Sequence, residues 1–247
     1  NFFKKVKQLN LRNSIFIDNT ADEKVSQEYK RYLENNIGVV TCNKIACSDS
    51  YNNFKALKTV SRKFNSPFLF ETNVGAGLPV IDTLSNLIAS GDQIIKIEAI
   101  LSGSLNYIFN NFKTNDSFHQ IVEEAMKKGL TEPDPRIDLS GIDVARKILI
   151  LARESGLKIE LSDVKINSIL PKEVCDIDDT DLFLESLKKH RSHFNSYLKS
   201  ARSNKSSLKY VARLNEGKAE VGLKEIAPGN DFFNIEGSDN IILFYTA

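Results

Sequence analysis

The sequence predicts an α/β protein in two parts, and three observations carry that reading. Between residues 14 and 71, short apolar runs alternate with amphipathic helical stretches. The run GVVT at 38–41 is apolar without alternation, as strands buried on both faces are. From Leu208 onward the segments LKYVARL, AEVGLKEI and IILFYT are strand-rich, with hairpin-like spacing around Asn215-Glu216-Gly217.

Taken in order, Ser14–Ile17 (SIFI) reads as a first strand that runs into Asp18-Asn19-Thr20. A helix is expected over Asp22–Asn35, with acids in its first turn where the helix dipole favours them. Gly38–Thr41 is the next strand, then Cys42-Asn43-Lys44, a helix over Tyr51–Phe64 and a strand at Pro67–Glu71. Strand–helix–strand–helix–strand implies a parallel sheet. Ligands of such sheets bind off the carboxyl ends of the strands. Asn19-Thr20 and Asn43-Lys44 stand at two of those ends. Their plainer alternatives are a helix N-cap for Asn19-Thr20 and an exposed loop lysine for Lys44.

Glu71-Thr72-Asn73-Val74-Gly75-Ala76-Gly77-Leu78-Pro79 leads into an amphipathic helix that ends near Ser90-Gly91. A strand, a glycine-rich turn and a helix are the setting of a phosphate loop. The sixth position counted from Gly75 is Val80, however, and no P-loop lysine follows, so this turn is not a dinucleotide fingerprint. Two glycines without a third indicate a tight turn whose carbonyls can face inward. Gln93–Leu101 reads as a strand of a second sheet, and Ser102-Gly103-Ser104 as the start of a helix. A helix over Ser117–Lys128 is closed by Gly129 as its C-cap. An acidic stretch at 176–181 and a polar helix over Asp181–Ala201 precede the strand-rich segments.

The densest chemistry lies in GLTEPDPRIDLSGIDVARK, Gly129–Lys147. An acid-rich, proline-stiffened loop precedes a helix on which Asp143 and Lys147, four residues apart, share a face. Glu132 and Asp138 add two more acids. Such a cluster suits a small zwitterion: carboxylates for its amino group and a lysine to move a proton. A solvated surface ion pair is the plainer alternative.

Composition narrows the remaining classes. At 247 residues, 41% hydrophobic and 26% charged, the chain can build a sizeable core in one large or two modest domains. A formal net charge of +1 gives no reason to expect nucleic acid or an acidic membrane as partner. No apolar run approaches the roughly 18 residues that a membrane helix needs. Cys42, Cys47 and Cys175 form an odd set without metal-ligand spacing, which fits reduced thiols in a cytoplasmic protein. His190 and His193, with Glu185 nearby, could mimic a metal pair, but their surroundings read as a solvated amphipathic helix.

The whole string is more specific than any pair within it. Ala125, Gly129, Pro135, Asp138, Gly141, Asp143 and Lys147 reproduce the order and spacing of the homoserine dehydrogenase signature. ETNVGAGLP at 71–79 and ILSGSLNYIFN at 100–110 resemble further blocks of that family, in the same order. From about Ser14 to about Thr246 the chain resembles the dehydrogenase portion of bifunctional aspartokinase–homoserine dehydrogenases.

The resemblance implies a partial Rossmann-like dinucleotide-binding domain over 1–70 and an α+β substrate-binding and dimerisation domain over 71–247. It implies NAD(P)-dependent interconversion of L-homoserine and L-aspartate 4-semialdehyde, a step towards threonine, methionine and isoleucine. Lys147 would be the acid–base group, with Lys44 as the competing candidate. Glu132 and Asp143 would contact the substrate, and Asp138 would bind its ammonium or order the loop. Asn19, Thr20, Lys44 and Gly129 would touch the cofactor, NADP or NAD. A monovalent cation such as sodium would sit on Glu71, Val74, Ala76 and Leu78, largely through backbone oxygens. A homodimer or homotetramer is expected, with a possible fused aspartokinase. No strand–G-x-G-x-x-G–helix unit occurs, so a fragment is expected, and the alternative function is a non-catalytic piece that folds and dimerises without dinucleotide.

Overall fold

Three strands, β1 (Ile15–Asp18), β2 (Gly38–Thr41) and β3 (Phe68–Leu69), pair in parallel in that order, with Ile15 beside Gly38 and Val39 beside Phe68. The structure, a computed structural model, describes residues 2–113 and 117–247. Two compact units make it up, one of Asn1–Gln93 with Leu149–Asp163, the other of Ile94–Ile148 with Val164–Ala247. The boundary expected after residue 70 therefore falls inside the first unit.

In the first unit α1 (Phe2–Leu9) buries Phe3 edge-on against Tyr32, with ring centroids 5.2 Å apart. One helix was expected over Asp22–Asn35, and two short ones form: α2 (Glu23–Gln27) and α3 (Tyr29–Leu33). The break is local. Glu28 N–H bonds Val25 O at 3.1 Å, and Arg31 N–H bonds Glu28 O at 3.0 Å, so i→i+3 bonds tighten the backbone there. Tyr29, Tyr32 and Leu33 are nonetheless buried. After α4 (Ile45–Ser48), helix α5 spans Tyr51–Phe64, as its sequence predicts. Ser50 caps its start, and Asn65 ends it at a left-handed φ of 46°. A 3-10 turn at Glu71–Asn73 then leads to α6 (Val80–Ala89).

The second unit centres on five strands: β4 (Ile94–Ile100), β5 (Lys165–Asn167), β6 (Ser207–Asn215), β7 (Lys218–Ile226) and β8 (Ile241–Thr246). Their order is β5-β7-β6-β4-β8, antiparallel except for β5 beside β7. The two-residue turn Glu216-Gly217 has both φ angles positive, 48° and 74°, as a tight hairpin requires. Strand β5 has no periodic signal of its own. It forms because β7 offers an edge, and Gly222 lets it approach: a Cβ there would meet Asn167 Cβ at 2.8 Å.

Helices α7 (Gly103–Asn111), α8 (Phe118–Lys127), α9 (Pro135–Leu139), α10 (Ile142–Glu154), α11 (Lys172–Cys175), α12 (Thr180–Lys189) and α13 (Arg191–Ser203) complete the fold. The single helix expected over Asp181–Ala201 breaks at His190, whose ψ of 22° leaves the helical basin. Phe118 stacks on Phe194 with centroids 4.0 Å apart, joining α8 to α13, and Phe112 packs edge-on against Phe118. Phe232 packs with Ile100 and Val211 in a further cluster. The rings of His190 and His193 bond the carbonyls of Ser186 and Ile169, and no metal-ligand cluster occurs among the described residues. Nor is any described helix long and apolar enough to cross a membrane.

Candidate functional site

The acidic loop is ordered from both ends. Helix α8 stops at Gly129, whose φ of +67° only glycine adopts freely, and Leu130 N–H returns to Ala125 O at 3.0 Å. Where a loop was expected next, Asp134 accepts from Arg136 N–H and Pro135 occupies the first turn, so α9 forms and carries Asp138. Asp138 Oδ1 accepts from Ser104 Oγ at 2.6 Å, and its Oδ2 from Glu132 N–H at 2.9 Å. Burial raises the Asp138 pKa, with the charges of Glu132 and Asp143 adding to the effect against its two hydrogen bonds. The Glu132 side chain is exposed.

Helix α10 follows Gly141 and carries the pair read from the sequence. Lys147 Nζ lies 2.7 Å from Asp143 Oδ2 and donates to Leu101 O at 2.7 Å, with its side chain only 16% exposed. Leu101 directly follows β4, so the strand end, the first turns of α10 and the acidic loop converge within the second unit. Sequence reasoning missed Ser102 and Ser104 as site residues. Their hydroxyls lie 2.9 Å apart, and Ser102 caps α7 through Leu105 N–H. The available signal was a Ser-x-Ser at the helix start directly after a strand.

In the first unit the strand ends rest on a buried polar network. Asp18 accepts from the Tyr29 hydroxyl, from Asn43 Nδ2 at 3.1 Å and from Thr20 N–H at 2.8 Å. Asn43 also donates to Asp22 O at 3.0 Å, and so clamps the ends of β1 and β2 together. Asp22, not Asn19 or Thr20, caps α2, while Thr20 Oγ1 accepts from Asp22 N–H at 3.1 Å. Asn19 and Thr20 are exposed and Lys44 is half-buried at the start of α4.

Burial pushes the Asp18 carboxyl up, but the hydrogen bonds of Tyr29, Thr20 and Asn43 outweigh it and hold its pKa below the ordinary value. A depressed folded-state pKa stabilises fully above the unfolded value of about 4 and is lost as pH falls through the folded value. Asp18→Asn should therefore destabilise by about 1–3 kcal/mol at neutral pH. It should also flatten this part of the acid limb in denaturant titrations between neutral pH and pH of about 3.

The glycine turn is left-handed at Gly75 (φ 78°) and Ala76 (φ 52°). Among the described residues of this unit, no hydrogen bond runs to the carbonyls of Val74 or Ala76, whereas Leu78 O accepts from Val80 N–H at 2.9 Å. The Glu71 carboxylate takes Ile81 N–H at 2.7 Å and Asp82 N–H at 2.9 Å, which caps α6, while its backbone oxygen accepts from Val74 N–H at a long 3.4 Å. Glu71→Ala should loosen α6 by about 1–2 kcal/mol, read as faster amide exchange in its first turn.

Against known families, residues 79–247 match the homoserine dehydrogenase model. The chain belongs to the homoserine dehydrogenase family. The bifunctional aspartokinase/homoserine dehydrogenase of Buchnera aphidicola is 41% identical over 242 residues, covering 98% of this chain and 30% of that protein. The homoserine dehydrogenase of Schizosaccharomyces pombe is 39% identical, covering 94% of this chain and 64% of that one. The chain thus spans about a third of the bifunctional relatives' length. Among solved structures, a Candida auris protein of unknown function superposes with a TM-score of 0.92 at 32% identity, covering 99% of this chain and 71% of that one. A hyperthermophilic archaeal homoserine dehydrogenase in complex with NADPH gives a TM-score of 0.70 at 25% identity, covering 94% and 62%. These neighbours share the α/β fold of the homoserine dehydrogenase family.

Proposed function

We propose that this chain carries the substrate and cofactor residues of a homoserine dehydrogenase, interconverting L-homoserine and L-aspartate 4-semialdehyde. The observation that carries the reading is the Lys147 ammonium, held between Asp143 and Leu101 O at 2.7 Å each. A lysine fixed in this way can exchange a proton with the substrate's C4 oxygen. Asp143 and the exposed Glu132 supply carboxylates for the substrate ammonium. Lys44 is the second candidate for the proton.

The first unit offers a polar, partly cationic set of groups at its strand ends, Asn19, Thr20 and Lys44, which fits the nicotinamide end of a dinucleotide. Gly129 supplies a backbone contact. When bound, the dinucleotide gives or takes the hydride. NADP is favoured, because an archaeal relative is described in complex with NADPH. The unspent carbonyls of Val74 and Ala76, with those of Glu71 and Leu78, suit a hard monovalent cation such as sodium. A fused aspartokinase, as in the bifunctional relatives, and a homodimer or homotetramer complete the proposal.

The test is homoserine-dependent reduction of NADP or NAD by the purified protein, with L-serine and L-aspartate as controls. Turnover of L-homoserine alone is expected. A folded sample that binds the dinucleotide but does not oxidise L-homoserine would overturn the assignment.

A further inference from the structure

Gly141 is the hinge on which α9 becomes α10. Its N–H bonds Asp138 O at 3.1 Å and its carbonyl accepts from Ala145 N–H at 2.9 Å, so it belongs to both helices at once. Its φ is +75°. Everything the proposed site takes from this segment lies on one side or the other: Asp138 before it, Asp143 and Lys147 after.

The space a side chain would fill at Gly141 is occupied by Tyr210 of β6. A Cβ built at Gly141 would lie 2.0 Å from the Tyr210 hydroxyl oxygen and 2.9 Å from the ring carbon bearing it. Tyr210 is 1% exposed and among the largest fully buried side chains. Its hydroxyl makes no hydrogen bond with the described residues. Hydrogen bonding to the described residues therefore does not account for this phenol. Its shape does, because it stands in the gap that only a glycine leaves open.

We propose that Tyr210 is a positioning residue whose phenol seats the Gly141 hinge and thereby sets where α10 delivers Asp143 and Lys147. The inference rests on the reading of Lys147 as the proton-transfer group. Neither Tyr210 nor Gly141 touches the reacting atoms in this scheme. They act through the direction of a helix axis, and displacement of a catalytic group by about 1 Å costs on the order of a hundredfold in rate.

The test is a size-complementation series in the full-length protein: Gly141→Ala, Tyr210→Phe and the double variant. Each is followed by kcat, KM and the Lys147 ammonium resonance in a nitrogen-labelled sample. Gly141→Ala should lower kcat by about a hundredfold with a much smaller change in KM, and should shift the ammonium resonance. Tyr210→Phe keeps the ring and removes the atom of closest approach, so it should cost at least about tenfold less than Gly141→Ala. The double variant relieves the closest contact but keeps the 2.9 Å approach to the ring and the φ of +75°. It should therefore recover part of the lost kcat, about threefold or more, and move the resonance part of the way back. A double variant no better than Gly141→Ala, or a Gly141→Ala protein with unchanged kcat, would overturn the proposal. An unmutated protein that does not oxidise L-homoserine would remove the catalytic reading instead. The resonance comparison would still decide whether the contact positions Lys147.

Discussion

Lys147→Met should lower the turnover of L-homoserine by about a thousandfold or more while dinucleotide binding persists. The magnitude follows from what is removed. A positioned general acid or base contributes about two to four orders of magnitude. Methionine keeps most of the aliphatic stem, and the neighbours Val144, Ala145 and Ile148 are buried independently of it, so α10 should stay folded. The loss should appear in kcat more than in KM, because the substrate ammonium is assigned to carboxylates. Lys44→Met provides the contrast. If it abolishes turnover while Lys147→Met leaves more than about a tenth, the proton belongs to Lys44 and Lys147 only orders Asp143.

The pair itself was legible in the sequence because a four-residue spacing on a helix is a local fact. The same holds for the limits of α5, the Gly129 cap and the Glu216-Gly217 turn, each set by residues within one turn of the backbone. What the sequence concealed was set at a distance. Strand β5 exists because β7 presents an edge and a glycine to it. Asp138 could be read as an acid beside a substrate, but its bond to Ser104 depends on a residue 34 positions away. The breaks at Glu28 and His190 fall inside sequences of continuous helical character. Strand-end ligand positions followed from a general rule about parallel sheets. That Asn43 would be the clamp between β1 and β2 did not, since its three partners lie on separate segments.

Arg153→Met should cost about 3–5 kcal/mol of stability, the largest loss expected for a residue outside the proposed site. The guanidinium side chain is fully buried in the first unit. It donates to Cys47 O at 2.8 Å, Ile159 O at 3.1 Å and Glu160 Oε2 at 2.9 Å. Burial pulls its pKa below the ordinary arginine value, with the Glu160 charge opposing. The three donations join α10 to α4 and to the segment after α10, and Glu160 in turn takes Tyr51 N–H at 3.0 Å at the start of α5. Methionine fills the stem but leaves two carbonyls without a donor, each at a cost of about 1–3 kcal/mol. Lysine should fare little better, because one ammonium cannot reach a fork of partners. Glu160→Gln should cost less, about 1–3 kcal/mol, because the amide oxygen can still accept from the guanidinium although the buried cation loses its counter-charge. Urea unfolding of the three variants measures the order directly. An Arg153→Met protein within about 1 kcal/mol of the parent would mean that water reaches those carbonyls and that the arginine is dispensable to the fold.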